Sequence, residues 1–104
     1  MNGAAPPAVV CGDFNIDRES SLFAEFMADN GLADAFEGAC PPTFRAEYLP
    51  AGETPHCIDF ILTAGGVKAE TTAVMFAGKE PLGPALGYVS DHIGLCARLL
   101  LAAP

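Results

Sequence analysis

Three apolar stretches in this chain each run into, enclose or follow a carboxylate, and that coupling constrains the fold more than any other feature. Ala8-Val9-Val10-Cys11 runs into Gly12-Asp13-Phe14-Asn15, and Cys57-Ile58-Asp59-Phe60-Ile61-Leu62 carries Asp59 inside it. Ser90-Asp91-His92 stands in front of a third apolar run over residues 93–101. Runs this short, rich in β-branched residues and bounded by Gly or Pro, read as strands. A carboxylate buried without a partner is expensive. The chain must therefore give Asp13, Asp59 and Asp91 partners, a cation, or a place at a strand end.

The remaining punctuation places the other elements. Asp17 is expected to cap a helix running to about Asn30, with Leu22, Phe23, Phe26 and Met27 on one core-facing side and Gly31 as the left-handed stop. Pro41-Pro42 breaks the chain, Thr43-Phe44-Arg45 reads as a short strand, and a loop follows through Pro50, Gly52 and Pro55. Residues 67–76 read as a strand reached through Gly65-Gly66, and residues 78–87 as a loop. The fold class is α/β (α+β): one small domain, mainly antiparallel sheet, with one clear helix. The polar triplets fall at strand ends beside loops, where open sheets tend to place ligand sites.

Composition excludes several classes. With 51% hydrophobic residues the chain reads as globular, and no apolar run approaches a membrane span. The amino terminus, Met1-Asn2-Gly3-Ala4-Ala5-Pro6-Pro7, lacks the basic and apolar regions of a secretory signal. Thirteen acidic residues against five basic ones give a net charge of −8. That balance disfavours duplex nucleic acid as a partner, although a bound cation reverses the field locally. The four cysteines, Cys11, Cys40, Cys57 and Cys96, are too widely spaced for a zinc site. Cys11, Cys57 and Cys96 read as buried thiols in a reduced, cytoplasmic protein.

Each polar residue has a plain structural explanation. Asp13 can cap a turn, Asp59 can accept from a backbone amide, Asp91 can cap the turn into the last strand, and His92 can be a satisfied core histidine. Arg45 either reaches a phosphate or lies solvated, and His56 reads as a surface residue. Taken together, the set has distinct chemical jobs. Carboxylates with an amide oxygen suit Mg2+, Mn2+ or Ca2+. An imidazole beside a carboxylate moves a proton near neutral pH. Phosphoester hydrolysis needs both.

Val10-Cys11-Gly12-Asp13-Phe14-Asn15, then Cys57-Ile58-Asp59-Phe60-Ile61, then Ser90-Asp91-His92 before an apolar strand, resembles the endonuclease/exonuclease/phosphatase superfamily in order and approximate spacing. Thr43-Phe44 adds to the likeness. The resemblance implies a divalent-metal-dependent phosphodiesterase or phosphatase, using Mg2+ or else Mn2+ or Ca2+. It implies that Asp13 orients or deprotonates the attacking water and that Asn15 donates its amide to a phosphoryl oxygen. Asp91 is placed on the metal side, and His92 at the scissile phosphate. Asp59 accepts from His92 and fixes its tautomer. Asp13 and His92 are both suited to act as base, and sequence leaves that choice open.

The resemblance also implies a four-layer α/β/β/α sandwich of two similar halves, of which residues 1–104 match the carboxy-terminal one. A Glu metal ligand, an Asn and a further His or Tyr come from the absent amino-terminal half. The isolated chain is therefore expected to be inactive, and to be poorly stable or to associate. The alternative is a non-catalytic remnant acting as a binding or interaction module. Among substrates, a sphingomyelin-like lipid phosphodiester or another small phosphoester suits the charge better than nucleic acid.

Overall fold

A computed structural model describes residues 6–101. The reading of the amino terminus at residues 1–5 lies outside the described residues. Strand β1 (Ala8–Asp13) leads through a turn to helix α1 (Ser21–Asn30), followed by the two-residue strand β2 (Ala33–Asp34). A 3-10 turn (Ala46–Tyr48) precedes β3 (Asp59–Ala64), which is followed by β4 (Lys68–Met75). A hairpin of β5 (Glu80–Leu82) and β6 (Ala85–Gly87) comes before the last strand, β7 (Gly94–Leu100). The strands form a three-stranded sheet β1-β3-β2, the pair β4-β7 and the hairpin β5-β6, every pairing antiparallel. The fold is mainly antiparallel sheet with one helix, as the sequence implies.

The helix begins later than expected. Ser20, not Asp17, is the cap: its Oγ accepts from Leu22 N at 3.1 Å. The Asp17 carboxylate instead pairs with His56 Nδ1 at 3.0 Å. Its carbonyl accepts from Ser20 N at 2.8 Å and shapes the turn before the cap. At the other end Gly31 has φ 59° and closes the helix as read.

The core lies between α1 and one face of the β1-β3-β2 sheet. Phe23, Cys57, Phe60 and Leu62 are buried, with Val10, Phe14, Ile16, Met27, Leu32 and Cys40 packed around them. The Phe23 and Phe60 rings stack at 4.3 Å, and Phe14 meets Phe60 at 5.4 Å. The expected helix face is only half right: Leu22 is 62% exposed and Phe26 38%.

Strand alternation explains a second correction. Val10 faces the helix, so Cys11 falls on the opposite face and is exposed rather than buried. Cys96 is exposed on β7 for the same reason. The last strand pairs only with β4 and is not buried through its length: Leu100 is 50% exposed. Residues 78–87, read as a loop, contain the β5-β6 hairpin, with Gly83 at φ 67° in its turn. No helix among the described residues is long and apolar enough to cross a membrane.

The molecule is long and thin, 57 × 30 × 17 Å, with a radius of gyration of 16.1 Å. A compact domain of about 100 residues has a radius of gyration near 13 Å. Among the described residues, Val9 and Cys11 on the sheet face away from α1 are exposed, Val9 at 47%.

Candidate active site

The register of β1 on β3 sets the site. Asp13 lies directly opposite Asp59, as Cys11 lies opposite Ile61. Directly opposed residues in an antiparallel pair project from the same face. Both carboxylates thus stand at one end of the sheet, on the face away from α1. The Asp13 Oδ1 oxygen accepts from Asn15 N at 2.9 Å, closing a tight turn in which Asn15 takes φ 53°. Asn tolerates that left-handed geometry better than most residues.

His92 is brought to the pair by the strip Thr43-Phe44-Arg45. Thr43 is fully buried, and its Oγ1 accepts from Ile58 N at 2.9 Å and from Asp59 N at 3.1 Å. The Thr43 carbonyl accepts from Ile93 N at 2.8 Å, and Arg45 N donates to the Asp91 carbonyl at 2.7 Å. Phe44 forms a bridge with His92, and their rings meet edge to face at 5.2 Å. This strip joins the start of β3 to the segment entering β7.

The result is a tight imidazole–carboxylate pair. His92 Nδ1 lies 2.6 Å from Asp59 Oδ2, with side-chain exposures of 22% and 20%. A carboxylate in this bond accepts, which matches the tautomer with the proton on Nδ1. The other nitrogen, Nε2, faces Asp13 Oδ2 at 3.6 Å and Asp91 Oδ1 at 3.9 Å. Asp13 is 39% and Asp91 52% exposed, so this side of the ring opens to solvent. Ser90 Oγ accepts from His92 N at 3.0 Å and pins the backbone of the triplet.

Asp13, Asp59 and His92 offer ligand atoms all within 4.8 Å of one another. Asp91 is not in that cluster and stands at its rim. Asn15 is joined to it through the Asp13 turn. Glu19, Glu25 and Glu37 are not part of the cluster. His56 is exposed and pairs with Asp17, as a surface residue would.

Arg45 departs from both sequence readings. It is 6% exposed, so it neither lies solvated nor presents a free guanidinium to a phosphate. It donates from Nε to Ser90 O at 2.7 Å, from Nη1 to Ala77 O at 3.0 Å, and from Nη2 to Phe76 O. Its guanidinium carbon lies 3.9 Å from the centre of the Tyr88 ring. The guanidinium thereby ties the end of β4 to the Ser90-Asp91-His92 segment. Thr43 and Arg45, two apart on the strip, both turn inward.

Thr43 is the more telling test of this scaffold. Thr43→Val keeps the shape and removes the acceptor of two amides, and a buried unpaired amide costs about 1–3 kcal/mol. We expect urea unfolding to show a loss in that range, with weakened exchange protection at Ile58 and Asp59. A loss within about 0.5 kcal/mol, the size of an ordinary surface change, would contradict the anchoring role.

The model of the Endonuclease/Exonuclease/phosphatase family matches residues 1–92. Nocturnin of Rattus norvegicus is 28% identical over 104 aligned positions, covering 89% of this chain and 24% of the relative. Nocturnin of Xenopus laevis is 27% identical, covering 89% of this chain and 27% of the relative. The chain thus spans about a quarter of the length of these curated relatives. No solved structure matches. With the match reaching from the first residue to His92, the chain belongs to the endonuclease/exonuclease/phosphatase family.

Proposed function

We propose that residues 1–104 form the carboxy-terminal half of a divalent-metal-dependent phosphoester hydrolase domain, with Asp13, Asn15, Asp59, Asp91 and His92 as its site residues. The observation that carries this is the His92 ring, fixed by Asp59 on one side and open to Asp13 and Asp91 on the other. A water or phosphoryl oxygen placed at Nε2 is in reach of both the imidazole and the Asp13 carboxylate. Asp59 sets the tautomer that leaves Nε2 free to take or give a proton. Asn15 supplies an amide donor for a phosphoryl oxygen.

The site chemistry fits a cation. Three carboxylates surround one imidazole, while Arg18 is engaged with Asp34, Arg45 with three carbonyls and Arg98 with Glu70. Asp91 and Asp13 carry the oxygens that would hold Mg2+, or Mn2+ or Ca2+, on the open side of the ring. Bound there, the ion would offset charge on the phosphoryl oxygens and lower the pKa of a water. The open sheet face, the 16.1 Å radius of gyration and the short span of the relatives support the half-domain reading. A small or lipid phosphodiester, such as a sphingomyelin-like headgroup, suits the −8 charge better than duplex nucleic acid.

The test is hydrolysis of bis(p-nitrophenyl) phosphate by the product of the complete gene. We expect turnover that requires Mg2+, is abolished by chelation, and falls about 100-fold or more in Asp13→Ala and His92→Ala. Unchanged metal-dependent turnover in both variants removes these roles. The exposed apolar residues Val9, Val74 and Met75 favour a second reading, a non-catalytic module that binds a partner through its sheet. A stable monomer of this chain without calorimetric Mg2+ binding, together with a complete product lacking turnover, would favour that reading.

A further inference from the structure

We propose that Cys40 and Cys57 are a modification site, oxidised to a disulfide that ties the Thr43-Phe44-Arg45 strip to the strand bearing Asp59. In the structure both are free thiols, and Cys57 Sγ donates to Cys40 Sγ at 3.0 Å. The Cys57 sulfur also lies 3.4 Å from the Asp59 carbonyl. Both sulfurs belong to residues lining one surface groove, with Asp17, Arg18, Pro42 and His56, but Cys57 is only 6% exposed while Cys40 is half-buried. An oxidant therefore reaches Cys40 first, and Cys57 stands behind it within reach of the resulting sulfur. The closed loop holds residues 41–56, including the residues that anchor Asp59 and His92.

The oxidant is a small-molecule disulfide of the glutathione type. The Cys40 thiolate attacks one of its sulfurs and expels one glutathione thiolate, which is protonated. The Cys57 thiolate then attacks the Cys40 sulfur of the mixed disulfide and expels the second glutathione. Two protein thiols lose two electrons and two protons, and one glutathione disulfide becomes two thiols. Burial, and then the Cys57 hydrogen bond, push the Cys40 thiol up to about 12. The first step draws on a small thiolate fraction and is slowed accordingly at neutral pH.

The chain as it stands is sufficient for the test, because trypsin places each cysteine in its own fragment: residues 1–18, 19–45, 46–68 and 80–98. Incubation of the native chain with oxidised glutathione is expected to link fragment 19–45 to fragment 46–68 as the dominant product. The same treatment in urea should give mixed pairings that include Cys11 and Cys96. The native oxidised sample should melt on the order of 10 °C above the same sample after dithiothreitol. Cys57→Ser should leave Cys40 as a glutathione adduct and abolish the shift. The proposal is overturned if Cys40 and Cys57 stay alkylatable while Cys11 and Cys96 react, or if native and unfolded chains give the same mixture. A bond that forms without moving the midpoint overturns the tethering.

Discussion

Asp59→Asn in the complete gene product is expected to lower kcat about 10²- to 10⁴-fold and to change KM little. The carboxylate makes a 2.6 Å bond to His92 Nδ1, and its neighbour Thr43 fixes the backbone from which it projects. An amide at position 59 keeps the size and loses the charge. Its NH2 group can turn toward Nδ1, which then becomes the acceptor and moves the ring proton to Nε2, facing the site with the wrong polarity. A general acid–base group is commonly worth about two to four decades of rate. Because Asp59 acts through His92, the two losses should not add: Asp59→Asn with His92→Ala should be about as slow as His92→Ala alone. A second readout needs no turnover. Nitrogen chemical shifts of the His92 ring in this chain should report the Nδ1–H tautomer, shifting toward Nε2–H in Asp59→Asn. Turnover within threefold of the parent protein, with an unchanged ring spectrum, would remove Asp59 from the site.

The parts of this site legible in sequence are those where a polar residue is tied to an apolar run. Asp13 and His92 read as lying at the ends of strand-like segments and Asp59 inside one; the structure starts that strand at Asp59, and the antiparallel register fixes Asp13 opposite it. What escaped has three physical causes. Strand β2 is two residues long, too short for any alternation to register, and the β5-β6 hairpin hides in a stretch rich in Gly and Pro. The helix is capped by Ser20, three residues after the expected Asp17, whose carboxylate pairs with His56, a residue distant in sequence. Arg45 shows the third cause. Its burial depends on carbonyls of residues 76, 77 and 90 arriving together, which no local pattern reports. The exposure of Cys11 belongs here too, since a strand's second face is buried only if something covers it.

Phe60→Ala should have the largest effect on stability. The ring is 2% exposed, stacked on Phe23 at 4.3 Å, tilted against Phe14 at 5.4 Å, and capped by the Arg18 guanidinium at 5.7 Å. Replacing a buried Phe by Ala removes the transfer energy of the ring and leaves a cavity, together about 3–5 kcal/mol. Small domains have net stabilities of roughly 5–15 kcal/mol, with short chains toward the lower end. Here α1 covers only one face of the sheet, and Phe60 lies at the centre of the buried cluster with Phe23, Cys57 and Leu62. The same arithmetic at the rim gives a different outcome. Leu100→Ala acts on a residue already half in water, at 50% exposure, and should cost under about 1 kcal/mol. Urea titration of the two variants beside the parent chain, followed by far-ultraviolet circular dichroism, makes the comparison. Phe60→Ala is expected to be largely unfolded without denaturant, and Leu100→Ala to keep the parent midpoint nearly unchanged. If Phe60→Ala retained a cooperative transition within about 1 kcal/mol of the parent, the weight of the core would lie on the face away from α1. The position of Asp59, one residue away, would then need another support.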